Sequence, residues 1–144
     1  MSAMPAWLIW AILSAVFAAM TAIFAKLGLQ SIDPDMATLI RTVIILALML
    51  LMVWLKAAWV PLNTIGARTW LFLGLSGLAT GASWLCYFRA LQAGPASQVA
   101  PIDKFSLVLV VIFAALFLGE RPAAREWAGI ALVAAGVMVL AWRR

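Results

Sequence analysis

Two charged side chains stand where a chain this apolar has little room for charge. Arg41 lies a little more than a helical turn inside one long hydrophobic run, and Asp103 as far inside another. Ionisable groups in hydrocarbon are costly, so they face other protein, a water-filled cavity or one another. At 1.5 Å of rise per residue both lie roughly 8 Å below the boundary of the same side of the membrane. That matched depth predicts a charge pair between Arg41 and Asp103. The pair has two readings, a device that fixes helix register or a site that handles substrate or protons. Lys104 adjoins Asp103, but neighbouring helical residues point about 100° apart, so the two are not expected to face one spot. Arg41 shares its face with Ile45, Leu48 and Met52, with Met49 at the edge, which makes a soft, adaptable wall. Glu120, at the end of the fourth run, is expected at the interface.

A second constellation is uncharged. Ser76, Thr80, Ser83 and Tyr87 follow at steps of four, three and four, which sets them on one face of a helix. Trp84, mid-helix beside them, needs a partner for its indole N–H. Gly74, Gly77 and Gly81 fall on roughly the opposite face, which suits tight packing. Hydroxyls in membrane helices can simply bond their own carbonyls. Four on one face favour the wall of a polar cavity.

Other chemistry is excluded by what the chain lacks. It has no histidine, and Cys86 is its single cysteine, so Cys/His zinc sites, histidine acid–base catalysis and an intramolecular disulfide are all ruled out. No nucleophile–base pair, metal cluster or phosphate-binding loop is present, so neither an enzyme nor a cofactor is expected.

The elements that must position these groups are hydrophobic helices. Of the 144 residues 67% are hydrophobic and 10% charged, with a mean hydropathy of +1.13. Soluble domains carry about a quarter charged residues, so this composition describes an all-α membrane protein. A span needs about 20 mostly apolar residues. Five stretches qualify, at about 5–26, 36–59, 69–91, 98–118 and 124–142, forming one transmembrane domain over 1–144. Asp33 before Pro34 supplies a capping carboxylate and a proline at the first helical position of the second helix. Pro61 and Asn63 mark the next break. Gly94-Pro95-Ala96-Ser97 is expected to end the third helix and cap the fourth, and Gly119 to Pro122 separates the fourth from the fifth. Nothing basic precedes Lys26, so the first run reads as a retained helix rather than a secretory signal.

Five crossings place the termini on opposite sides. Trp7, Trp10, Trp54, Trp59, Trp70 and Trp127 gather on the N-terminal side as an interfacial belt, with Trp142 anchoring the other. Lys56, Arg68, Arg121 and Arg125 lie on the N-terminal side. Lys26, Arg89, Arg143 and Arg144 lie on the far side, with Arg41 and Lys104 further in. A balance this even sets orientation weakly, which permits insertion both ways. The net charge of +5 is spread along the chain, so it suits an anionic bilayer surface and not nucleic acid. Small residues allow helices to approach closely in lipid. Ala11, Ala15, Ala18, Ala22 and Ala25 stripe the first helix, and Ala128, Ala131 and Ala135, with Gly129 and Gly136 near by, stripe the fifth. Both read as packing surfaces.

The segment Tyr87-Phe88-Arg89-Ala90-Leu91-Gln92-Ala93-Gly94-Pro95-Ala96-Ser97-Gln98-Val99-Ala100-Pro101-Ile102-Asp103-Lys104 resembles the EamA family of the drug/metabolite transporter superfamily. Phe117-Leu118-Gly119-Glu120-Arg121, followed by Trp127, Gly129-Ile130 and Gly136, fits that family's ending. The likeness extends over essentially the whole chain. Typical members have ten helices in two five-helix halves of opposite topology, and this chain resembles the five-helix bacterial and archaeal subgroup, equivalent to one inverted-repeat half. It differs from the four-helix small multidrug resistance proteins, whose first helix bears a coupling glutamate, because the first helix here has no acid.

The resemblance implies a secondary transporter that moves a small metabolite or drug-like solute by alternating access in a prokaryotic plasma (inner) membrane. Its site would lie near the midplane between two inverted halves. Expected to line it are Arg41, Ser76, Thr80, Ser83, Trp84, Tyr87 and Asp103. The expected partners are a second copy in inverted orientation, the lipid bilayer and a small-molecule substrate. The competing reading is a non-transporting membrane subunit that packs against a partner and modulates it.

Overall fold

The computed structural model describes residues 5–142, so the expected far-side charges of Arg143 and Arg144 lie outside the described residues. The chain runs through α1 (Ala6–Gly28), α2 (Pro34–Leu55), a 3-10 turn (Leu62–Thr64), α3 (Ala67–Ala93), α4 (Ala96–Asp103), α5 (Ser106–Phe113), a π-helical turn (Ala114–Leu118) and α6 (Ala124–Ala141). No strand occurs among the described residues. Five helical stretches are long and apolar enough to cross a membrane, the fourth being Ala96–Leu118 taken as one span. The protein is a multi-pass, all-α membrane protein built on these five helices.

Residues 24–93 form one compact unit, made of the end of α1 with α2 and α3. Asp33 starts α2 as the sequence predicts, its carboxylate accepting from the N–H groups of Asp35 at 2.9 Å and Met36 at 3.3 Å. Two of the orphan donors at the helix start are thereby satisfied. Pro34 follows at the first helical position, where its missing N–H costs nothing. α2 packs along α3. The buried residues of this unit, Leu29, Pro34, Thr38, Phe88 and Leu91, gather at the end where α2 begins and α3 finishes. Lys26 donates to the carbonyl of Leu91, one of the four that the last turn of α3 leaves without a helical partner. The side-chain amide of Gln92 reaches the carbonyl of Ile32 at 3.4 Å.

The far end of α2 corrects an expected boundary. The helix stops at Leu55 and does not reach Trp59. Ala57 turns to a φ of 48°, its N–H bonds the carbonyl of Trp54, and the N–H of Ala58 bonds that of Val53. This is the Schellman closure, here with alanine at the left-handed position that glycine usually takes.

Residues 1–23 and 94–144 form the second compact unit, described over 5–23 and 94–142. In it α6 packs against both α4 and α5, and Ala22, Val108 and Val137 are buried. The fourth span corrects the sequence reading twice. α4 starts at Ala96, with Pro95 in the capping position and no side-chain cap, so Ser97 lies inside the helix. The span is also discontinuous. Pro101 has no N–H to offer Ser97, and the N–H groups of Lys104 and Phe105 then bond only three residues back, to Pro101 and Ile102. The helix restarts as α5 at Ser106, with the N–H groups of Leu107 and Val108 still bonded three residues back and that of Leu109 four back, to Phe105. The span closes at Gly119, whose φ of 69° suits glycine, with the N–H of Glu120 bonded to Ala114. α6 opens with the carboxylate of Glu126 accepting from the N–H of Ala123 at 2.7 Å.

The expected packing stripes are largely open, except at Ala22, which is buried, and Ala25, which is half-buried. A Cβ placed at Gly74, Gly77, Gly81, Gly129 or Gly136 would meet nothing within 4 Å. Ala11, Ala15 and Ala18 are exposed on α1, as are Ala128, Ala131 and Ala135 on α6. The belt tryptophans are exposed as well, from 42% at Trp127 to 71% at Trp10. A side chain of this kind is at ease in an interface where one end is apolar and the other wet.

Candidate functional site

Arg41, on α2, reaches across to α3. Its guanidinium carbon stands 4.2 Å from the centroid of the Trp84 ring and 5.2 Å from that of Phe88. The rings sit one turn apart on α3, so both lie within cation–π range of one guanidinium. Arg41 and Trp84 are half-buried, while Phe88 is buried. Sequence reasoning named Arg41 and Trp84 separately and missed Phe88. Its signal was the step of four from Trp84, a spacing that puts two aromatics under one side chain.

The hydroxyl stripe runs alongside. Ser76, Thr80 and Ser83 are exposed on α3, and Tyr87 is half-buried with its ring edge-on to Phe88 at 6.4 Å. Thr80 donates its hydroxyl to the carbonyl of Ser76 at 2.8 Å. That bond still leaves the Thr80 oxygen able to accept. The structure thus brings five of the expected residues onto one helix, with Arg41 stacked at the edge of the stripe.

Toward the end of the same unit Arg89 meets Asp35 in a fork. Nε donates to Oδ1 at 3.2 Å and Nη2 to Oδ2 at 2.8 Å, with both side chains more than half exposed. The carboxylates of residues 24–93 are therefore both committed, Asp33 to the start of α2 and Asp35 to Arg89.

Asp103, half-buried at the end of α4, accepts from Lys104 at 3.2 Å. The two neighbours, not expected to face one spot, nonetheless reach each other. The 100° separation applies to a continuous helix, and the chain leaves helical geometry at Lys104, where a long flexible side chain can fold back. No group of three or more metal-ligating side chains occurs among the described residues.

Comparison with known proteins places this architecture. The model of the EamA-like transporter family matches residues 5–142. An uncharacterized transporter in the cobO 3′ region of a Sinorhizobium species is 56% identical over 135 residues, covering 94% of this chain and 96% of that one. The probable 4-amino-4-deoxy-L-arabinose-phosphoundecaprenol flippase subunit ArnE of Yersinia pestis (strain Pestoides F) is 34% identical over 71 residues. That match covers 49% of this chain and 62% of ArnE. No solved structure matches. With its match to the family model and five spans in a single half, the chain belongs to the EamA-like transporter family.

Proposed function

We propose that the chain is a secondary transporter of a small metabolite or drug-like solute, working by alternating access as an antiparallel pair of identical chains in a prokaryotic plasma membrane. The observation that carries this reading is the exposed hydroxyl stripe of Ser76, Thr80 and Ser83 in the middle of an apolar helix. Polar side chains in a span face a cavity or a neighbouring helix rather than lipid. A five-helix half supplies one wall of such a cavity, and an inverted copy supplies the other. The even distribution of Lys and Arg supports insertion in both orientations. The open glycine and alanine stripes suit the close approach of a second chain.

Reporter fusions to the two termini test the dual arrangement. Each terminus should report from both compartments at native-level expression, and a single orientation would count against the antiparallel pair. A cysteine at Ser83 tests the cavity, because it should react with a water-soluble thiol reagent in intact membranes. An inert Ser83→Cys variant would argue for a dry scaffold.

A second reading is favoured by one comparison, the printed description of ArnE as a flippase subunit. On that reading the chain pairs with a different membrane protein and modulates it or completes its cavity. Affinity purification from native membranes separates the two, since a homodimer yields one species and a subunit brings a second chain in fixed ratio.

A further inference from the structure

We infer that Arg41, stacked on Trp84 and Phe88, is the anion-reading group of the substrate path, so that the cargo carries a phosphate or a carboxylate. The inference rests on the transporter reading above and names the substrate class that this site would take.

The geometry separates the two ways a guanidinium binds. Its flat faces attract aromatic rings, while its N–H groups radiate in the plane as a fork matched to a carboxylate or phosphate. The guanidinium carbon lies over the rings of Trp84 and Phe88, at 4.2 and 5.2 Å from their centroids, and ring contact of this kind takes up no hydrogen-bond donor. Within residues 24–93 the carboxylates are taken, Asp33 by the start of α2 and Asp35 by Arg89. A half-buried cation thus lies over two rings, with no carboxylate of its own unit to meet its fork. A cation buttressed by rings and not met by a carboxylate of its own unit suits a receptor for an anion. The exposed hydroxyls of Thr80 and Ser83 on the same helix offer acceptors and donors for the polar remainder of the same ligand. Two sources share this chemistry, a soluble anion and the headgroup of an anionic lipid.

The test uses the full chain in nanodiscs and titration calorimetry with phenyl phosphate, inorganic phosphate and phenyltrimethylammonium. Phenyl phosphate should bind saturably, and phenyltrimethylammonium should not. Hydrogen bonds to charged groups are strong enough that Arg41→Gln should weaken phenyl phosphate at least about tenfold. Arg41→Lys keeps the charge but loses the fork, so it should weaken binding too, and it carries the test if the glutamine variant does not fold. Discs of phosphatidylcholine alone and discs containing phosphatidylglycerol separate the sources. Binding retained in both marks a soluble anion, while binding seen only without phosphatidylglycerol marks the lipid headgroup. Equal binding of the cation, or phosphate affinity unchanged in both Arg41 variants, would overturn the inference. Proteoliposome flux keeps the two readings apart. Arg41-dependent binding without flux retains the anion site and removes the transporter, whereas flux of phenyltrimethylammonium independent of Arg41 does the reverse.

Discussion

Arg89 and Asp35 are joined by two parallel hydrogen bonds, Nε to Oδ1 and Nη2 to Oδ2, between the last turns of α3 and the first turn of α2. The geometry is the strong, bidentate form, but both side chains stand largely in the open. Exposure decides the outcome. Arg89→Gln and Asp35→Asn should each alter thermal stability little, and their double-mutant coupling should vanish as salt approaches about 1 M, where the screening length falls to about 3 Å. A large coupling that survives high salt would place the fork out of water.

The N-cap at Asp33 should matter more than the fork. Its carboxylate satisfies two donors at the start of α2. Removing such a cap costs roughly 0.5–2 kcal/mol. Asp33→Ala should therefore lower the denaturation midpoint in mild detergent, while Asp33→Asn, which keeps the accepting oxygen, should recover most of the loss.

Ala57 offers the opposite sign. Its φ of 48° places a Cβ where left-handed backbone penalises it by about 1–2 kcal/mol, and glycine relieves this at an entropic cost of about 0.5–1 kcal/mol. Ala57→Gly should be neutral to stabilising in thermal denaturation. Ala57→Val should be clearly worse than either, and a valine variant as stable as the parent would refute the Schellman closure.

The glycines of α3 separate fold from assembly. Because a Cβ at Gly77 meets open space within the chain, Gly77→Leu should leave the chain folded. If a second chain packs there, the same change should shift crosslinked dimer toward monomer. Unchanged crosslinking would move the interface elsewhere.

The five spans were legible because each is a long apolar run, and the start of α2 because Asp33-Pro34 is a cap with a mechanism. The end of α2 was not, since Trp59 continues the hydrophobic pattern while the turn at Ala57 is set by φ and not by residue type. Breaking of the fourth span was half-visible. Pro101 was in plain sight, but that the bonds at Lys104 and Phe105 would tighten to three residues was not read from it. At the site, spacing found the hydroxyl face of α3, and the cost of charge in lipid found Arg41. What Arg41 lies against depends on how α2 and α3 pack, which periodicity does not encode.

The expected pairing of Arg41 with Asp103 carries the last and most exposed prediction. It rests on their matched depth along the sequence, and the structure adds that Asp103 already holds Lys104 at 3.2 Å. Removing one partner of a buried pair strands the other and costs roughly 3–5 kcal/mol, whereas removing both can be nearly neutral. Arg41→Gln and Asp103→Asn should each impair folding or transport, and the double variant should regain folding while staying inactive. Additive losses with no rescue would remove the pair and leave Lys104 as the partner of Asp103, to be checked by Lys104→Gln.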